Sequence, residues 1–391
     1  MLSVALAGKP NAGKSTFYKA ATMADVDVGN YPFTTIDPNR GVTHARTRCP
    51  CLDREERCGN CEGGVRYVPV ELLDVAGLVP GAHEGRGLGN QFLDALTDAD
   101  VILAVVDAAG GTNAEGEPVE VGTYDPVEEA DFVEVELEQW LVGIIERNWE
   151  SVVRKSRSPD FDIDEALTEM LTGFGATEYD VAASLRALDY PDDPQQWSDE
   201  DQERLARDIR QRTKPIVLVA NKADIAPPEN LERLAKSDKP VIPTTADGEL
   251  ALRNATEAGI VEYLPGDEDF EVVGDVSDAQ MQGLETIREV MSERGGTGVQ
   301  RAIDTAVYDV LDMVTAYPVQ NETKWTDGTG EMLPDAFLLA RGSTPKDLAF
   351  AVHSDIGEGY LHAVDARSKR RIAEDYELEE GDVIKIVSTA S

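Results

Sequence analysis

The octapeptide GKPNAGKS, Gly8 to Ser15, constrains this chain more than any other stretch. It follows an apolar run, Leu2 to Ala7, that predicts a buried β-strand, and precedes Thr16 to Ala21, which predicts a helix. A strand, a glycine-rich loop fitting GxxxxGK[ST] and a helix make the phosphate cradle of nucleoside-triphosphate enzymes. Glycine lets the backbone curl close to the phosphates, successive N–H groups point inward, and the helix N-terminus adds partial positive charge. On this reading Gly8, Asn11, Ala12, Gly13, Lys14, Ser15 and Thr16 line the nucleotide. Lys14 reaches the β- and γ-phosphates and is a catalytic candidate, and Ser15 holds Mg²⁺.

Two further apolar runs deliver complementary motifs. The stretch PVELLDVAGL, residues 69–78, reads as a strand ending in Asp-x-x-Gly, with Asp74 placed to hold Mg²⁺ and Gly77 to donate its N–H to the γ-phosphate. The run 215–220 delivers Asn221, Lys222, Ala223 and Asp224, the NKxD signature of guanine recognition. A carboxylate at Asp224 accepts from both N1–H and N2–H₂ of guanine, whereas adenine would leave it desolvated and unpaired. A strand at 241–243 leads to Thr245 and Ala246, where a backbone N–H is expected to contact the base oxygen. Each motif alone also fits an ordinary turn or cap; their shared order, each at a strand end, does not.

The formal net charge is −39, with 12 Lys against 24 Arg. Scarce Lys and acid spread over every region resemble proteins of salt-in halophiles, where molar K⁺ screens carboxylate repulsion over a Debye length of about 3 Å. A basic-partner binder is the alternative. No run reaches the ~18 apolar residues that span a membrane, nothing points to DNA, and the expected location is the cytoplasm. The four cysteines, Cys49, Cys51, Cys58 and Cys61, fall within 13 residues. Reduced, clustered thiols favour a metal, and four thiolates complete a structural Zn²⁺ site; an iron–sulfur cluster is the alternative.

The predicted fold class is α/β: a P-loop nucleotide-binding domain over 1–114 and 212–315, with the four-cysteine metal hairpin at 46–66. Residues 115–211 hold 27 acids and 8 bases, with apolar residues such as Leu137, Leu141, Ile144 and Ile145 at helical spacing. They read as an acidic helical insertion, a solvated hairpin without chemistry, with partner binding as the alternative. Residues 316–391 read as a small α+β domain, with a helix start at Thr344-Pro345. Within it Arg367, Lys369, Arg370 and Arg371 form a basic cluster that fits either RNA phosphates or local salt bridges. His44, His353 and His362 have no chemical context.

GKPNAGKS, NYPFTTIDPN at 30–39 and DVAGLVPGA at 74–82 resemble the Obg/YchF-related GTPases, and GRGLGNQFL at 85–93 resembles the YchF branch. The C-terminal part, with LPDA at 333–336 and Asp347-Leu348-Ala349, is similar to a TGS domain, which is β-grasp-like. The resemblance covers essentially the whole chain. It implies a translation-associated, Mg²⁺-dependent NTPase that engages the ribosome or RNA. Many YchF proteins have a base motif ending in Glu and prefer ATP; here NKAD is intact and the four-cysteine insert is extra, as in an archaeal YchF-like subgroup, so GTP and GDP are the expected nucleotides. A YchF-type ATPase and a nucleotide-dependent switch with negligible turnover are the alternatives. The resemblance also implies Thr35, ahead of Thr34, as the switch threonine on Mg²⁺. The residue after Gly77 is Leu78, which cannot orient water. Related GTPases with Asn at the Asn11 position use K⁺ beside the phosphates, so Asn11 is the expected K⁺ ligand. His83, between Gly81 and Gly85, is a further catalytic candidate.

Overall fold

The computed structural model describes residues 1–22, 40–75, 81 and 95–389. Its first sheet contains β1 (Ser3–Ala7), β2 (Arg40–Arg48), β3 (Val65–Asp74), β4 (Val101–Asp107), β5 (Ile216–Asn221) and β6 (Val241–Pro243), in the order β2-β3-β1-β4-β5-β6. Every residue of β1, β4 and β5 is buried, as expected of parallel strands covered on both faces. Only β2 runs antiparallel, paired with β3 from Arg40↔Leu73 to Arg48↔Val65. The parallel strands end together, so Ala7, Asp74, Asp107 and Asn221 deliver their following loops to one edge.

Helix α1 (Lys14–Thr22) covers one face of the sheet through Phe17 and Ala21. The other face is covered by α2 (Pro126–Ala130), α3 (Phe132–Lys155), α4 (Ile163–Leu171), α5 (Glu178–Ala187) and α6 (Asp199–Thr213). The expected solvated hairpin is therefore a helical layer. Leu137, Leu141 and Ile145 of α3 share one apolar core with Ala5, Ile102 and Leu218 of the strands. Capping boxes start α5 at Thr177 and α6 at Ser198, so the acid-rich first turns face the positive helix ends.

After β5 come α7 (Pro228–Leu234), α8 (Ala246–Glu257), a short hairpin of β7 (Val261–Glu262) and β8 (Glu271–Val272), α9 (Asp278–Arg294) and α10 (Val299–Asp304). The second sheet contains β9 (Met313–Val319), β10 (Phe337–Ala340), β11 (Tyr360–Asp365), β12 (Arg370–Ile372) and β13 (Asp382–Ser388), in the order β10-β9-β13-β11-β12. β9 and β13 are parallel and the other pairs antiparallel. Helix α11 (Pro345–Val352) begins at a capping box of Thr344 and Asp347, at the predicted start, and buries Leu348 on this sheet. A short α12 (Ser354–Glu358) follows. Among the described residues no helix is long and apolar enough to cross a membrane.

Candidate nucleotide-binding site and metal centre

The loop from Gly8 to Gly13 needs its glycines. Gly8 has φ +141° and Gly13 φ +103°; an added Cβ would lie 2.4 Å from Val105 O and 2.1 Å from Asn221 Nδ2. Asn11 adopts φ +62°, a left-handed backbone that Asn tolerates better than most residues. The Lys14 ammonium folds back on the loop, donating to Gly8 O at 3.0 Å and Lys9 O at 2.9 Å. Burial pulls its pKa down to about 8, against the pull of Asp74 and Glu129. Burial raises the Asp74 carboxyl, while Lys14 and a hydrogen bond from the Ser15 hydroxyl oppose that shift. Ser15 and Asp74, 59 residues apart in sequence, thus meet where a hydroxyl and a carboxylate suit Mg²⁺.

The base motif is joined to the cradle by one amide. Asn221 Nδ2 donates to Ala12 O at 2.9 Å, and Asn221 Oδ1 accepts from Ala246 N at 3.1 Å. Asn221 thus braces the phosphate loop against the start of α8, and the second hydrogen of its Nδ2 remains available to a base. Thr245 N donates to Thr297 O at 2.8 Å and Ala246 N to Asn221 Oδ1 at 3.1 Å. Thr245 Oγ1 accepts from Gly248 N at the start of α8. Lys222, at φ +60°, places Nζ 2.9 Å from Asp107 Oδ2. Asp224 is exposed and makes no hydrogen bond or ion pair with the described residues. Thr35, Thr34, Gly77, Leu78 and His83 lie outside the described residues.

Two buried residues that the sequence did not single out stand beside this loop. Lys9 and Glu129 form an ion pair at 2.7 Å with side chains 2% and 3% exposed. Burial pushes the Glu129 carboxyl up to about 7 despite Lys9. No local signal marks them, because 120 residues separate them. His44 is buried with neither ring nitrogen hydrogen-bonded among the described residues, and burial lowers its pKa to about 4, so it is a neutral core residue.

At the opposite end of β2 and β3 the four cysteines converge. Cys49 and Cys58 Sγ are 3.7 Å apart, Cys51 and Cys61 3.5 Å, Cys58 and Cys61 3.6 Å, and all four lie within 4.8 Å. Sulfurs at about 2.3 Å from one tetrahedral Zn²⁺ stand about 3.8 Å apart, so the spacing fits a single ion and is too tight for a multi-iron cluster. A hydrogen bond with Cys49 pulls Cys58 down to about 5, while burial pushes Cys61 up to about 12.

This knuckle is the seat of the second sheet's domain. Cys49, Cys51 and Cys58 share an apolar cluster with Tyr317, Trp325, Leu333 and Val383. Asn60 Nδ2 donates to Met332 O at 3.1 Å; Arg66 donates to Leu333 O at 3.1 Å and Pro334 O at 2.6 Å. Arg367 pairs with Asp53 at 3.2 Å and lies 5.6 Å over the Trp325 ring, which Arg54 also covers at 4.8 Å. Arg367 therefore joins the two parts of the chain. The side chains of Lys369, Arg370 and Arg371 are exposed and make no hydrogen bond or ion pair among the described residues.

Comparison with known proteins gives three family models along the chain. A 50S ribosome-binding GTPase model matches residues 3–140, the G4-motif-containing domain of Obg-like GTPases matches 219–321, and a TGS domain matches 330–388. A GTP-binding protein of Methanocaldococcus jannaschii is 44% identical over 399 residues, covering 100% of both chains. The chain belongs to the YchF/Obg-like GTPases. Another member, a GTP-binding protein of Schizosaccharomyces pombe, is 32% identical and covers 87% of each chain. The protein named ribosome-binding ATPase YchF in Bacillus subtilis is 27% identical, over 93% of this chain and 87% of that one. The crystal structure of a GTP-binding protein from Pyrococcus horikoshii superposes with a TM-score of 0.79 at 39% identity, covering 99% and 100% of the two chains. The YchF/Obg-like architecture of P-loop domain, helical layer and C-terminal TGS domain is thus that of this chain.

Proposed function

We propose that this chain binds Mg²⁺-GTP and hydrolyses it to GDP and phosphate. The observation that carries this reading is the Asn221 strut, which ties the phosphate loop at Ala12 to the base loop at Ala246 and leaves the Asp224 carboxylate free beside them. Ser15 and Asp74 would hold Mg²⁺, which supplies charge neutralisation at the phosphates when bound. Lys14 would move from the Gly8 and Lys9 carbonyls to the β- and γ-phosphates, and Asp224 would read guanine. The test is displacement of labelled GDP in high KCl with Mg²⁺. GTP and GDP are expected to displace it and ATP and ADP to fail. Displacement by adenine nucleotides as good or better would replace this reading by the ATPase activity named for the Bacillus relative.

Asn11 is proposed as the K⁺ ligand. Its Nδ2 donates to Gly116 O at 2.9 Å, which fixes the orientation of the amide and leaves Oδ1 without a donor among the described residues. With Leu78 in place of a water-orienting side chain, a fixed cation would stabilise the charge that develops in the transition state. Replacing K⁺ by Na⁺ at constant ionic strength is expected to slow GTP turnover about tenfold, roughly 1.4 kcal/mol of barrier. Equal rates would remove K⁺ from the mechanism.

The ribosome or its RNA is the proposed partner. Lys369, Arg370 and Arg371, whose side chains have no ion-pair partner among the described residues, project from the β11–β12 hairpin of a chain whose net charge is −39. We also propose Zn²⁺ at Cys49, Cys51, Cys58 and Cys61, with a structural role because four thiolates leave no open coordination position.

A further inference from the structure

The outer side of the phosphate loop is covered by residues 107–129, the turn after β4 and the first helix of the insertion. Lys9 Nζ is met there from three directions. It donates to Thr112 O at 2.9 Å, pairs with Glu129 Oε2 at 2.7 Å and sits 4.3 Å over the Tyr124 ring. The other Glu129 oxygen accepts from Asp107 N at 3.3 Å. Asp107 is fully buried and accepts from Thr112 Oγ1 at 2.8 Å and Lys222 Nζ at 2.9 Å. One buried network thus runs from the phosphate loop, through α2 and the end of β4, to the base motif.

The same segment touches the loop again two residues on. Asn11 donates to Gly116 O, and Gly116 has φ +82°. A Cβ on Gly116 would lie 2.5 Å from Pro10 O, so a glycine is needed for this turn to rest on the loop.

Burying two opposite charges is costly, and an apolar pair of similar size often stabilises as well or better. What the ion pair adds is direction. Residue 9 must sit where a carbonyl, a carboxylate and a ring face meet, and the strained backbone of residues 8–13 follows from that point. We propose that Lys9 and Glu129 are positioning residues for the nucleotide, so that the insertion's first helix sets the path of the phosphate-binding loop. This rests on the nucleotide-binding reading above. It departs from an insertion without chemistry, because Glu129 belongs to that insertion.

The test uses the full chain with Lys9→Met, Glu129→Leu, the double variant, Glu129→Gln and Gly116→Ala. Labelled-GDP affinity and the nucleotide-free thermal midpoint are measured for each. Each charge-breaking single variant is expected to weaken GDP at least tenfold, and Glu129→Gln, which keeps a hydrogen-bonding oxygen, to weaken it less than Glu129→Leu. The double variant is expected to regain thermal stability and not affinity. Gly116→Ala leaves the buried charges in place and is expected to weaken GDP at least threefold, which keeps the test open if Glu129→Leu does not fold. Single variants that bind GDP within threefold of wild type while their midpoints fall would overturn the proposal. So would a double variant that regains affinity together with stability, since any good packing would then serve. A wild-type chain that prefers ADP sinks the guanine reading alone, and the same comparison is then made with ADP; a chain that binds neither nucleotide overturns both.

Discussion

Asp224→Ala is expected to lower GDP affinity about a hundredfold and to erase discrimination against ADP. The backbone around this carboxylate is pinned on three sides. Ala223 N donates to Thr244 O at 3.0 Å, Arg294 donates to Ala223 O at 3.0 Å, and Ile225 N donates to Lys222 O at 3.2 Å. The side chain is exposed and has no partner among the described residues, so none of their contacts has to be broken before it accepts from a base. Two charge-assisted hydrogen bonds are at stake, each about 1.5–3 kcal/mol, and a net loss of about 3 kcal/mol is about two decades of affinity. Asp224→Asn should lose less, because one acceptor remains. Competition between labelled GDP and ADP checks this, and an unchanged GDP/ADP ratio would place base recognition elsewhere.

Removal of the proposed Zn²⁺ is expected to release the TGS domain from its seat while leaving the nucleotide site intact. Without a cation the thiolates at the knuckle repel, and the turn holding Asn60 and the base of Arg66 loses its shape. These residues carry the bonds to Met332, Leu333 and Pro334, and the cysteines themselves close the apolar cluster around Trp325. The metal-free chain should therefore show faster hydrogen exchange over 49–64 and over 323–336 together, with one metal ion lost per chain. GDP affinity should change less than twofold, because the ten residues of β3 put about 30 Å between the knuckle and Asp74. Exchange confined to 49–64 would show that the metal staples only its own turn. A chain purified without chelator and free of metal would show that no ion is held there.

The phosphate loop, Asp74 and NKAD were legible because each is a short contiguous motif at the end of an apolar run, and a parallel sheet brings such ends together. The partners of those motifs were not. Asn221 read only as a base contact, yet its amide also ties Ala12 O to Ala246 N, partners that lie 209 and 25 residues away. Arg367 read as one of four equivalent cations; its commitment to Asp53 spans 314 residues, which no local pattern shows. The helical layer was half legible. Leu137, Leu141 and Ile145 announced an apolar face, but the acid on the other side of the same helices suggested a solvated hairpin. Lys9 and Glu129 were invisible for the opposite reason: charged residues carry no periodic signal of burial, and only the turn at 107–116 explains why they are inside.

The β2–β3 hairpin has its two ends in different company. At one end Arg40 pairs with Leu73, next to Asp74; at the other Arg48 pairs with Val65, next to the cysteines on which the TGS domain sits. Nine consecutive cross-strand pairs and no bulge make it a stiff arm, about 30 Å long at the usual rise per residue. A tilt of about 10° at the nucleotide end would swing the far end, and the domain riding on it, through about 5 Å over that length.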